Sequence, residues 1–252
     1  PIGDRVDFAP RAVEVLSSCD FIAAEDTRVT IKLLNHFCIK KPMVSYYEHN
    51  RAQRGGVIID RLLNGETCAL VSDAGMPIIS DPGEDLTKLC HENGIQVLAV
   101  PGPCAFVTAL AISGMPSGRF TFEGFLTVSK QNRKKHLEEL INEKRTMIFY
   151  EAPHKLASTL ADMAKFWGNR NIALVKETAR DVDQRDIEKL ALSIADTLQG
   201  EFYTRVIVGI GSSIDSIKDL ARSFKEAQAS LEVGKVFDTD KAVISYSNLG
   251  IA

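Results

Sequence analysis

Cysteine is scarce and unpatterned: Cys19, Cys38, Cys68, Cys90 and Cys104 are scattered through 252 residues with no CxxC pair. That spacing excludes a disulfide or zinc framework and points to reduced thiols in a cytoplasmic protein. The five histidines do not cluster either, so no metal site is expected. No apolar run is long enough to span a bilayer and no signal peptide is visible, so no membrane partner is expected. Phosphate-cradling signatures are missing: there is no GxGxxG after a strand and no GxxxxGK[ST]. An excess of positive charge is missing too. The net charge is −3, so global basicity does not announce a nucleic-acid partner.

What is present is globular. The chain is 45% hydrophobic and 25% charged, and is long enough for one large or two ordinary domains. Basic and acidic residues balance over residues 1–177, and residues 178–252 carry all of the −3. That shift hints at a boundary near Thr178.

The stretch with most chemistry is 69–103, ALVSDAGMPIISDPGEDLTKLCHENGIQVLAVPGP. It reads as strand, polar Gly/Pro loop, helix, apolar strand over 95–100, and a Pro-Gly-Pro loop. This is α/β patterning, and in a parallel sheet both loops lie at the carboxyl ends of their strands, where ligands bind. Gly75 and Gly83 permit positive φ and close approach of a ligand to backbone. The plain alternative is that glycine and proline only punctuate βα turns.

Elsewhere, 8–19 reads as an amphipathic helix and 21–24 as a buried strand delivering Glu25-Asp26-Thr27-Arg28. Two carboxylates beside an arginine suit a hydroxyl or a ribose, and equally a helix N-terminus capped by Asp26 or Thr27. A strand over 43–47 and a helix over 56–63, stopped by Asn64-Gly65, come next. Residues 104–113 read as a helix, 120–126 as the start of a second domain, 146–150 as a strand, 156–166 as a helix and 172–175 as a strand. Ser129 to His136 is the strongest basic run, with Lys130, Arg133, Lys134 and Lys135. It suits RNA phosphates, though by sequence alone a solvated helix face is the favoured reading.

The motifs SDAGMPIISDPG, VPGPCAFVTALAISGMPSGRFTFEGFL and MIFYEAPHKL, in that order, resemble the tetrapyrrole-methylase superfamily. With PIGD at the start and AAEDTR at 23–28, the chain resembles more closely its branch of 16S ribosomal RNA 2'-O-ribose methyltransferases. The resemblance implies a two-domain α/β fold with mostly parallel sheets. It implies S-adenosylmethionine (AdoMet) as cofactor, held by Ser72, Asp73, Ala74, Gly75 and Met76 with Pro103, Cys104 and Ala105. It implies 16S rRNA in the small ribosomal subunit as partner, with a cytidine 2'-hydroxyl as acceptor and a homodimer as a further partner to consider. Glu25, Glu151 and Lys155 are the acceptor-side candidates, and Arg28, Lys130, Arg133, Lys134 and Lys135 the RNA-binding ones. A corrin or porphyrin methylase, with the same fold and cofactor, is the rival; the lysine-rich run favours RNA. Relatives carry a short apolar strand before PIGD, so a fragment lacking that strand is expected.

From about Thr178 the text changes character. Helical spacing at Ile187, Leu190, Ala191, Ile194 and Leu198, ended by Gly200, precedes a strand over 203–210 and a helix over 216–234, and Val243-Ile244-Ser245-Tyr246 ends the set. The phrase VIVGIGSSIDSIKDLARSFKEAQASLEVGKVFDTDKAVISYSNLGIA resembles the GGDEF-like domain of sugar-diacid (CdaR/PucR-type) transcriptional regulators. The expected division is therefore 1–103, an AdoMet-binding domain; 104–177, a second methylase domain; and 178–252, an α+β regulator-like tail joined as a chimera. The alternatives are a non-enzymatic regulator fragment, and a tail that completes the methylase sheet through GEFYTRVIVGIG.

Overall fold

Residues Phe21–Ala24 form strand β1, and all four are shut off from solvent. A strand with no polar face belongs in the middle of a parallel sheet covered on both sides. In the computed structural model β1 lies between β2 (Met43–Ser45) and β3 (Cys68–Val71), parallel to both. Ile22 and Ala24 pack on one side with Leu16 of α1 (Pro10–Ser18) and Leu34 of α2 (Thr27–His36). Phe21 and Ala23 pack on the other with Ile58 of α3 (Arg51–Leu63) and with Leu86 and Cys90 of α4 (Glu84–Glu92). Period-2 alternation thus splits one four-residue strand between two cores. Each large buried aliphatic there contributes about 1.5–3 kcal/mol.

The structure describes residues 1–3, 5–168, 170–176, 183–202, 206–215, 219–236 and 241–250. The chain divides into two units, Pro1–Ala105 and Phe106–Ala252. The three-layer sheet above is the first.

The second unit contains α5 (Ala105–Ile112), whose first residue closes the first unit. It has a parallel pair, β4 (Phe120–Phe125) with β5 (Thr146–Tyr150), interrupted by a bulge between Phe122 and Gly124. Leu126, Leu137 of α6 (Lys130–Glu139), Leu160 and Met163 of α7 (Leu156–Trp167) and Ile194 of α8 (Gln184–Phe202) share one core. The Trp167 indole N–H donates to the Leu137 carbonyl at 3.0 Å, tying α7 to α6. A second parallel pair, β6 (Val208–Ile210) with β7 (Val243–Ser245), carries α9 (Leu220–Val236). Gly209 makes that packing close: a Cβ there would collide with the Ala227 carbonyl oxygen of α9. All strand pairs among the described residues are parallel, and the fold is α/β.

Several expectations are corrected. Residues 95–100 form no strand: Leu98 is 71% exposed, and the Ala99 carbonyl accepts from the Arg11 guanidinium at 2.8 Å instead of from a neighbouring strand. Among the described residues β3 pairs with β1 alone, and the apolar run joins no ladder. Residues 172–175 are likewise irregular, with Ile172, Leu174 and Val175 exposed. Helix α3 begins at Arg51 rather than Gly56, and its Gly55 sits against Leu89 of α4, where a Cβ would lie 3.2 Å from the Leu89 side chain. Helix α8 runs past Gly200 to Phe202. β6 pairs with β7 and not with the β4–β5 sheet. The expected strand start at Tyr203 and the expected junction at 177–178 lie outside the described residues.

Candidate active site

Because β1 and β3 are parallel neighbours with Ala24 opposite Val71, the turns at their carboxyl ends emerge side by side. The Glu25 amide continues the ladder to the Val71 carbonyl at 3.1 Å. Beyond it the two turns exchange bonds: the Asp73 amide donates to Glu25 Oε2 at 3.2 Å, and the Asp26 amide donates to Asp73 Oδ1 at 3.2 Å. Ser72 is buried, and its hydroxyl donates at 3.5 Å to the Ala74 and Gly75 carbonyls and faces Asp81, a residue of the 80–83 stretch not singled out from the sequence. Burial pushes the Glu25 and Asp81 carboxyls above their ordinary range; the Asp73 amide opposes this at Glu25, and the Asp73 carboxylate adds to both. Asp26 behaves oppositely. Its carboxylate caps α2 at the Arg28 amide, 2.8 Å, and pairs with the Arg28 guanidinium, which holds it down at about 2. The expected capping role of Asp26 is thus present in this turn.

Gly75 takes φ +77, and its amide donates to the Pro1 carbonyl at 3.1 Å. A Cβ at this position would lie 3.3 Å from the Pro103 carbonyl oxygen and 3.1 Å from Ile2. The turns after β3 and before α5 therefore touch, and a side chain at 75 would fill the gap between them. Ile78 (φ +81) and Ser80 (φ +139) are also in the left-handed half of the map, which is costly for a β-branched residue and marks a loop held by its surroundings. Asp73, Ala74 and Ala105 are exposed, while Met76, Pro103 and Cys104 are half-buried. The Phe106 amide at the start of α5 donates to the Tyr150 hydroxyl at 3.3 Å, so that helix-terminal donor is already engaged.

These features fit AdoMet. Its sulfonium and ammonium are cations, which the Glu25, Asp73 and Asp81 carboxylates would face favourably, and the Gly75 gap admits a ligand against backbone.

In the second unit, Glu151 lies just past the carboxyl end of β5. One carboxylate oxygen accepts from the Ala152 amide at 2.7 Å and the other from the buried Thr159 hydroxyl at 2.6 Å. Arg133 donates to that same hydroxyl at 2.7 Å and lies 2.8 Å from an Asp162 oxygen. Its side chain is only 14% exposed. Arg133 is thus turned inward, unlike Lys130, Lys134 and Lys135, which are exposed on α6. Arg133 lies one turn before Leu137 on the same face of α6 and so turns inward, half-buried, while its basic neighbours stay in solvent. Lys134 and Lys135 sit 3.6 and 4.0 Å from Glu138 and Glu139 one turn on. Such exposed pairs are worth about 0.3–0.5 kcal/mol and are readily exchanged for an anion. Lys155 and Arg28 are exposed as well.

The model of the tetrapyrrole (corrin/porphyrin) methylases matches residues 1–194. The chain belongs to that family. The match continues past residue 178 into α8. The chain is 45% identical over 219 residues to ribosomal RNA small subunit methyltransferase I of Halalkalibacterium halodurans, covering 85% of this chain and 75% of the relative. It is 45% identical to the Synechocystis protein of the same name, covering 80% and 74%, and 48% identical to that of Pseudomonas aeruginosa, covering 71% and 64%. Among solved structures, a conserved hypothetical protein from Aeropyrum pernix K1 superposes with a TM-score of 0.52 at 14% identity, over 66% of this chain and 64% of that one. That likeness is one of fold. Within the family, this methylase chain sits with the ribosomal RNA small-subunit branch.

Proposed function

We propose that the chain transfers a methyl group from AdoMet to a ribose 2'-hydroxyl, a cytidine's, of 16S rRNA in the small ribosomal subunit. The observation that carries the reading is the contact between the Gly75 turn and Pro103, beside the carboxylates of Glu25, Asp73 and Asp81. The names of relatives at 45–48% identity supply the acceptor class.

When bound, AdoMet supplies an electrophilic methyl group on sulfur. The chain's own contribution is orientation and charge. Glu25 and Asp73, fixed to each other through backbone amides, hold the cationic cofactor; Gly75 and Pro103 supply carbonyls and space. Holding donor and acceptor in line is worth about 7–11 kcal/mol in well-oriented reactions. The acceptor hydroxyl must lose a proton. Glu151, whose carboxylate is pinned by the Ala152 amide and Thr159, is the proposed base, and Lys155 on the next turn a partner for RNA phosphate. Arg28, Lys130, Lys134 and Lys135 are the proposed phosphate contacts, and Arg133 is assigned to the Glu151 network instead.

The test is methyl incorporation from labelled AdoMet into undermethylated small ribosomal subunits, with the label mapped to a ribose. Labelling of a porphyrin or corrin precursor in place of the subunits would move the chain to the rival acceptor class.

A further inference from the structure

Strand β4 contains an aromatic residue that its own alternation would send the wrong way. Phe122 and Phe125 are three apart, and on a regular strand they face opposite sides. The bulge between Phe122 and Gly124, with Gly124 at φ +61, inserts one residue and re-aims the end of the strand. As a result both rings meet Tyr150 of β5, Phe122 edge-on at 5.2 Å and Phe125 at 5.4 Å. Phe106 stacks on Phe122 at 4.3 Å, and its amide holds the Tyr150 hydroxyl. Four rings therefore run in series, Phe106–Phe122–Tyr150–Phe125. The first three are half-buried. The last is 59% exposed, at the carboxyl end of the sheet, opposite Tyr150 and one residue in register from Glu151.

A large exposed ring, backed by a rigid aromatic row and succeeded within ten residues by the exposed Lys130, Lys134 and Lys135, has the makings of a single-strand nucleic-acid contact. We propose that Phe125 is the stacking platform for an unpaired base of the RNA substrate, next to the nucleotide that is methylated. The proposal rests on the RNA reading above. The ring offers a flat π face to a base, the lysines neutralise the flanking phosphates, and the bulge fixes the ring's direction before RNA arrives. Because stacking is tolerant of base identity, Phe125 sets the position of the strand rather than its sequence.

The experiment uses the full chain with Phe125→Ala, Phe125→Tyr and Phe125→Leu. Methylation of small ribosomal subunits gives KM and kcat. Quenching of 2-aminopurine in a short single-stranded RNA, without cofactor, reports stacking directly. Phe125→Ala is expected to raise the KM for subunits roughly tenfold or more and to abolish the quenching, with AdoMet affinity unchanged. Phe125→Tyr restores both and Phe125→Leu restores neither. An unchanged KM in Phe125→Ala, rescue by Leu as complete as by Tyr, or absence of quenching in an active wild type overturns the inference and leaves the methyltransferase reading intact. A change of molar mass by light scattering in Phe125→Ala also overturns it, by assigning the ring to a contact between two copies. A wild type that neither methylates nor quenches defeats both.

Discussion

The Thr159 hydroxyl donates to Glu151 at 2.6 Å while accepting from Arg133 at 2.7 Å. One buried side chain on α7 thus links the carboxylate after β5 to a guanidinium on α6, and Asp162 closes the set. Thr159→Val keeps the shape and removes the hydroxyl. It leaves Arg133 short of an acceptor and Glu151 of a donor, at a cost of about 1–3 kcal/mol in stability. If Glu151 is the base, kcat for RNA methylation falls by roughly tenfold or more, within the range general-base catalysis supplies, while AdoMet affinity holds. Thr159→Ser restores kcat. Steady-state kinetics and thermal unfolding of the two variants check this.

Gly75 carries both a left-handed backbone and a crowded neighbour. Gly75→Val places carbon within van der Waals contact of the Pro103 carbonyl and Ile2, and the positive φ itself costs about 1–2 kcal/mol for a residue with Cβ. AdoMet affinity is expected to fall roughly tenfold or more, because the side chain fills the gap the cofactor would enter, with the β1–β3 core intact. Calorimetric titration of the variant, beside a circular dichroism spectrum, separates lost binding from lost folding.

The half-buried carboxyls of Glu25 and Asp81 make the first unit pH-sensitive in a definite direction. Burial raises Glu25 above 4.5 and Asp81 above 3.8, with nearby carboxylates adding and the Asp73 amide and Ser72 hydroxyl opposing. A raised acid binds more protons folded than unfolded, so stability falls as pH rises from the unfolded values through the folded ones. A cationic cofactor favours the ionised forms, so AdoMet affinity should rise with pH over that same window. Glu25→Gln keeps the acceptor for the Asp73 amide; it should flatten both profiles and make the apo protein more stable at neutral pH. Asp26 contributes the reverse: its stabilising pair with Arg28 is present above the ordinary carboxylate range and is lost as pH falls toward about 2. Unfolding and binding series across pH test the pair of slopes.

Among the described residues, Lys134 and Lys135 are paired with glutamates of their own helix. Replacing both by glutamine should weaken binding to small ribosomal subunits and reduce its salt dependence by up to about two in log–log slope. AdoMet affinity should not change. Filter binding across ionic strength reads the slope, and an unaltered slope would remove these lysines from the RNA surface.

Much of the fold was legible because it is local. Phe21–Ala24, Thr146–Tyr150 and the helices α1 and α7 are marked by unbroken apolar runs, 3.6-residue spacing and glycine stops. The runs at 95–100 and 172–175 look equally strand-like, yet a strand needs a partner, and pairing is a property of the sheet rather than of the segment. The Gly75 turn and Pro103 were legible as loops of one pocket-like stretch, and Asp26 as a cap. Asp81 was not, since its importance lies in facing Ser72 and in burial, neither of which spacing reveals. Arg133 was read with its basic neighbours because composition cannot tell which member of a charged run turns inward. The bulge at Gly124 that re-aims Phe125 was equally hidden.

The most direct measurement is calorimetric titration of the intact chain with AdoMet. Saturable one-site binding to the wild type, weakened tenfold or more by Gly75→Val and growing stronger as Glu25 and Asp81 ionise, is the expected result. No heat at millimolar AdoMet, or equal affinity in wild type and Gly75→Val, would contradict the claim that the two turns form the methyl donor's site.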